Sequence, residues 1–168
     1  MTEHLVLAMY AAPLLVAAVW DIATFRIPNT LTVAYLVLFA IAALLAAGPV
    51  DWLGHLAAFG LVFAVGVCLF ALRLFGGGDV KLLIVLGLWV GWANLLELAV
   101  WVSLAGGVVA LLAVLEASPM GQWLLAVTGL PRALVLEERT DDKTRRHIPY
   151  GIGICVGGLM MAGKLPLV

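Results

Sequence analysis

Charge is the scarcest property of this sequence. Only 11% of its 168 residues are Asp, Glu, Lys or Arg, against 65% hydrophobic. A soluble domain carries about a quarter charged residues. With a mean hydropathy of +1.17, a soluble fold would leave large apolar surface in water, which is unfavourable. Charge of one sign is lacking too. The net charge of −1 gives no electrostatic reason to expect a nucleic-acid partner. Cysteine is nearly absent. Cys68 and Cys155 stand far apart inside apolar runs with no CxxC pair, so a thiolate metal site is not expected, and both read as small buried or lipid-facing residues. No HExxH, GxSxG or GxxxxGK[ST] occurs. Zincin, serine-hydrolase and P-loop chemistry lose their motifs, and Ser103 and Ser118 lack a serine-enzyme context. Glu3 precedes the first apolar run where a removable signal peptide would carry basic residues, so no such peptide is expected.

Long apolar runs are what the chain does have. About 20 such residues cross a bilayer core as a helix. Six segments approach this: His4 to Phe25, Leu31 to Ala47, Leu53 to Leu74, a short one from Asp79 to Ala93, Leu95 to Leu115, and Ile148 to the C-terminus. Ile27-Pro28-Asn29, Gly48-Pro49-Val50-Asp51, Gly76-Gly77-Gly78 and Gly91-Trp92-Ala93-Asn94 punctuate them. Met120 to Leu136 is apolar but interrupted by Gly129 and Pro131, and reads as interfacial or partly embedded. The expectation is an all-α membrane protein, a bundle of about six transmembrane helices forming one domain over 1–168.

Basic residues set the orientation. Arg26, Arg73, Lys81, Arg132, Arg139, Lys143, Arg145 and Arg146 fall in or beside alternate connections, while the loops around Asp51 and Asn94 have none. Lys164 is the lone basic residue on the other side. The basic connections therefore face the cytoplasm. Trp20, Trp52, Trp92 and Trp101 lie near span ends, as an aromatic belt requires. Glu97 and Glu116 are span-end residues, His147 is a surface residue near the boundary, and 137–146 is a mixed-charge solvated loop.

This topology brings together two acids distant in sequence. The first span ends inside near Asp21, and the fourth starts inside at Asp79. Both reach the membrane boundary at one depth, where ionisable groups are costly and face a bundle interior or wet cavity. Position alone leaves function and helix capping equally open, the latter chiefly for Asp79 at a helix start. The run Gly76-Gly77-Gly78 before Asp79 shifts the balance. It permits positive φ and close backbone approach. Two carboxyls held together cannot both ionise cheaply. They titrate as a pair and supply one base and one acid at one pH, enough to activate water against a peptide carbonyl without metal or cofactor.

Three segments now carry a resemblance. Gly76-Gly77-Gly78-Asp79-Val80-Lys81-Leu82 looks like the GxGD motif of the type IV prepilin peptidases. Trp20-Asp21-Ile22 with Arg26-Ile27-Pro28-Asn29 resembles the segment bearing that family's first catalytic aspartate. Ile148-Pro149-Tyr150-Gly151 resembles the start of its last transmembrane helix. The resemblance implies a cofactor-free aspartyl endopeptidase of the bacterial inner membrane, cutting after the leader glycine of a prepilin or pseudopilin at the cytoplasmic face and working beside pilus assembly machinery. It makes Asp21 and Asp79 the catalytic pair and Gly76, Gly77, Gly78 and Lys81 the active-site loop, with Lys81 orienting or tuning Asp79 or reaching to the headgroups. Arg26, Pro28, Asn29, Pro149, Tyr150 and Gly151 line the site. The larger members carry an added N-terminal region with paired cysteines, and no such region is expected here. The chain thus resembles the short peptidase-only form of tight-adherence (Flp-type) systems, with no methyl transfer or S-adenosylmethionine expected. The rivals are a small ion- or proton-coupled transporter, which would carry polar groups at mid-span and often a repeat, and a non-catalytic assembly factor.

Overall fold

The apolar runs fold as helices because a backbone in lipid must satisfy its own hydrogen bonds. The computed structural model describes residues 2–24, 26–128 and 150–167. In order these form α1 (Thr2–Thr24), α2 (Asn29–Leu45), α3 (Trp52–Ala71), α4 (Gly77–Val90), α5 (Leu95–Ala117), α6 (Pro119–Thr128) and α7 (Tyr150–Leu159), then a 3₁₀ turn at Ala162–Lys164. No strand occurs among the described residues. The protein is an all-α membrane bundle. Among the described residues three helices, α1, α3 and the stretch Leu95–Glu116 of α5, are long and apolar enough to cross a membrane, while α2 and α7 are shorter apolar helices.

The element boundaries follow local chemistry. Pro28, extended at φ −69°, precedes the first turn of α2. The Asp51 carboxylate accepts from the Gly54 amide at 3.0 Å and caps α3. At the other end of α3, Leu74 N–H reaches Leu69 O and Arg73 N–H reaches Phe70 O. This pairing is a Schellman close, with Arg73 rather than glycine in the left-handed position at φ 60°. Gly91, at φ 71°, stops α4 after 14 residues.

α4 is the centre of the bundle. It packs against α2, α3, α5 and α7, and Val80, Leu82 and every residue from Ile84 to Val90 are buried. Its Trp89 anchors an aromatic cluster with Tyr10 (5.5 Å between centroids), Tyr35 (5.3 Å) and Phe39 (5.6 Å). Tyr10 Oη donates to Gly158 O at 2.6 Å and Trp89 Nε1 to Tyr35 O at 3.3 Å, so these two buried polar tips are used, while the buried Tyr35 hydroxyl meets no protein partner among the described residues. α5 and α7 approach by backbone: a Cβ on Gly153 would stand 2.6 Å from Gly106 Cα, and one on Gly157 2.6 Å from Val102 Cα. Small residues at such an interface are the usual device for packing helices in lipid. Large apolar side chains such as Leu44, Leu53 and Leu96 point outward.

The last expected span is shorter than its apolar run. After Leu159 the chain turns, Met161 N–H bonding to Gly158 O, and the tail folds over the end of the bundle. Leu165 and Leu167 are buried. Asn94 Nδ2 donates to Lys164 O at 2.9 Å, and the Lys164 ammonium pairs with Glu97 at 2.6 Å. A cavity of about 320 Å³ at this end is lined by residues including Thr2, Glu3, Leu45, Pro49 and Leu167. It lies a helix length from Asp21. Of the segment 120–136, the part up to Thr128 is α6, packed on α5 with Met120 and Trp123 exposed. Positions 129–136, His147, and the basic residues from Arg132 to Arg146 lie outside the described residues.

Candidate active site

Asp21 stands one turn from the end of α1 and is only 3% exposed. Such burial of a carboxyl needs polar company. α7 supplies it, its first turn presenting the backbone N–H groups of Gly151 and Ile152 to the carboxylate. The contact is close. A Cβ on Gly151 would fall 2.5 Å from Asp21 Oδ2 and 2.8 Å from Cγ. Only glycine leaves room for the carboxylate there. Oδ2 itself is buried without a protein partner.

Asp79 enters from the other side, in the first turn of α4. Its carboxylate folds back toward the N–H of Gly76, the residue before the helix, which is the returning half of a capping box. It also lies close enough to Asp21 for the two charges to interact. The expected juxtaposition of the two acids is therefore present in the fold, at the end of the bundle opposite the tail.

The three glycines are not equivalent. A Cβ on Gly76 would meet Asp79 Oδ2 at 2.9 Å, and one on Gly78 would meet the Ile27 backbone nitrogen at 3.1 Å, whereas one on Gly77 would make only ordinary contact with the Phe70 ring at 3.4 Å. None of the three has positive φ; among the described glycines only Gly91 does. The run serves close approach rather than left-handed backbone.

The flanking residues divide in the same way. Pro28 precedes α2 and its carbonyl accepts from Leu31 N–H at 3.1 Å. Arg26 is exposed, its carbonyl 3.0 Å from the Thr24 hydroxyl, which also donates to Trp20 O at 2.8 Å. Asn29 takes a 2.8 Å hydrogen bond from the Lys81 ammonium. Lys81 thus has an amide across the α2–α4 junction for a partner. Tyr150 stacks on Phe75 at 5.5 Å and 23°, tying the start of α7 to the glycine turn. Pro149 lies outside the described residues.

Phe75 has no motif in the sequence to flag it, and Cys155 reads there only as a small buried or lipid-facing residue. Cys155 is fully buried within electrostatic reach of both carboxylates. His55 also went unread. It is buried in α3, with Nδ1 2.6 Å from Leu88 O near the far end of α4. Among the described residues no group of three His, Cys, Asp or Glu side chains is placed to share a metal ion.

A buried carboxylate on α1 and a helix-capping carboxylate on α4, within electrostatic reach of each other, have the chemistry that an acid–base pair acting on one water requires. No curated protein and no solved structure matches the chain. Residues 8–111 do match the pattern of a family, the type IV leader peptidases. That stretch covers more than half of the chain and includes Asp21, the Arg26–Asn29 turn, the glycine run, Asp79 and Lys81, though not Tyr150 or Gly151. The chain accordingly belongs to the type IV leader peptidase family, and is a membrane peptidase of that kind.

Proposed function

We propose that this peptidase is an aspartyl endopeptidase whose catalytic pair is Asp21 and Asp79, and that it removes the leader of a type IV, Flp-type prepilin after the leader glycine. One carboxylate, as base, takes a proton from a water held between the two. The other, protonated, donates to the scissile carbonyl oxygen as the water attacks. The tetrahedral intermediate collapses when the leaving amine receives a proton from the pair, and the starting protonation is restored. The alternation of basic loops supports an active site on the cytoplasmic side of a bacterial inner membrane. The observation that carries this reading is the meeting of Asp21 and Asp79, 58 positions apart in sequence, at one end of the bundle within electrostatic reach.

The test is co-expression of a prepilin with the wild type, Asp21→Asn and Asp79→Asn, followed by mass spectrometry of the pilin N-terminus. Leader removal is expected with the wild type alone. Processing by either variant at near wild-type rate refutes the pair.

A further inference from the structure

The two aspartates sit on helices held together mainly by others. α1 packs chiefly on α2 and α7, and both of these pack on α4 as well. The separation of the carboxylates therefore depends on how α2 and α7 grip α4. On the α7 side the grip is apolar: the Phe75–Tyr150 stack, and the packing of Leu14 and Leu86 around Gly158. On the α2 side Ile27 lies against Gly78, and the Lys81 ammonium donates to Asn29 Oδ1 at 2.8 Å.

From this geometry we infer that Lys81 and Asn29 form a positioning clamp that holds Asp79 in register with Asp21; the inference rests on the reading of those two aspartates as the catalytic pair. Lys81 follows Asp79 by two residues, about 200° around the helix. Its ammonium is thus directed away from the carboxylate and toward α2. A lysine that merely reached for headgroups would need no fixed partner, and this one meets a side chain 52 positions away. Its setting is also poor for general stabilisation. The cation lies in the early turns of α4 and beside the first residue of α2, where both helix dipoles disfavour positive charge. A residue that breaks a local rule in this way marks a functional constraint.

The mechanical link from Asn29 back to Asp21 is short and braced. Ile27 is buried, Pro28 is locked by its ring, and the Thr24 hydroxyl ties the end of α1 to the carbonyls of Trp20 and Arg26. Movement at Asn29 is therefore passed to the end of α1. Both clamp residues are exposed, so replacing them leaves the core intact.

Two measurements test the clamp. The first is steady-state cleavage by Lys81→Met, Asn29→Leu, their double variant, Lys81→Arg and Asn29→Asp. Each single removal is expected to lower kcat by roughly 10- to 100-fold with KM nearly unchanged. The double variant should be no worse than the worse single one, because residues that act only through each other do not add. Lys81→Arg and Asn29→Asp, which keep the cross-helix bond, should restore most of the rate. Multiplying effects in the double variant, or an Asn29→Asp as damaging as Asn29→Leu, would overturn the clamp.

The second measurement needs no substrate. Spin labels on Ala23→Cys and Leu72→Cys, in a Cys68→Ser background, report the distance between the end of α1 and the end of α3, where the chain leads into the glycine turn. Lys81→Met should broaden that distribution and Lys81→Arg should restore it. An unchanged distribution in Lys81→Met overturns the inference. A wild type that cleaves no prepilin overturns the peptidase reading instead, and the label distances then decide on the clamp alone.

Discussion

Gly151→Ala separates catalysis from folding more sharply than replacing either aspartate. The new methyl would stand 2.5 Å from Asp21 Oδ2, 2.8 Å from Cγ and 3.2 Å from Cβ. Ordinary contact begins near 3.4 Å, so the carboxylate has to retreat by about 0.9 Å. What yields is a side-chain end rather than backbone. The cost to the fold is small and is offset by the roughly 0.5–1 kcal/mol by which alanine is favoured over glycine inside a helix. Catalysis has no such tolerance. A displacement near 1 Å costs about 100-fold in rate, equivalent to ~2.7 kcal/mol of barrier. The expected result is a protein with a wild-type melting curve and a kcat about 100-fold down, read by timed cleavage of a purified prepilin in proteoliposomes with mass-spectrometric detection. Wild-type turnover by Gly151→Ala would mean that Asp21 is not needed where the fold puts it. A collapse of the melting curve would mean that α7 cannot yield as argued.

Other substitutions should move stability instead. Gly157→Ala drives a Cβ against Val102 backbone atoms at 2.6 Å; α5 and α7 must part, lowering thermal stability in detergent by roughly 1–3 kcal/mol. Arg73→Gly removes a side chain from left-handed backbone at φ 60° while keeping the Schellman close, and should stabilise by about 1 kcal/mol, seen as a rise in melting temperature. His55→Leu strands the Leu88 carbonyl that His55 Nδ1 now meets at 2.6 Å; a loss of about 1–3 kcal/mol is expected, with cleavage per folded molecule unchanged because the contact is at the far end of α4.

The order of helices was legible because each apolar run is bounded by Gly, Pro, Asn or Asp, and because loop charges alternate. Those two signals sufficed to put Asp21 and Asp79 at one end. They could not say which faces meet. In a membrane bundle the core-facing and lipid-facing sides are both apolar, so the pattern that shows how a soluble helix is turned is largely erased. The contact between Gly151 and Asp21, the Phe75–Tyr150 stack and the Lys81–Asn29 bond all depend on helix rotation, and none leaves a periodic trace. The glycine run shows the same limit. Gly76, Gly77 and Gly78 are identical as letters, yet only the first and third are tightly enclosed. Gly153 and Gly157, unremarked in the sequence, mark a backbone-to-backbone approach of α5 and α7. The final helix was overread for a related reason: its apolar run continues past Leu159, but Leu165 and Leu167 turn back into the core instead of extending it.

The brevity of α4 bears on where in the bilayer a substrate can be met. Fourteen residues rise about 21 Å, some 9 Å less than a hydrocarbon core of about 30 Å. A helix that short cannot place both of its ends at the lipid surface. Because α4 is enclosed by other helices rather than by lipid, its ends can stay wet within a thinned or indented stretch of membrane. In such a stretch Asp79, at the start of α4, would lie at the floor of a depression. A peptide bond at the very edge of a substrate's own membrane helix could reach such a floor while that helix remained seated among the lipids.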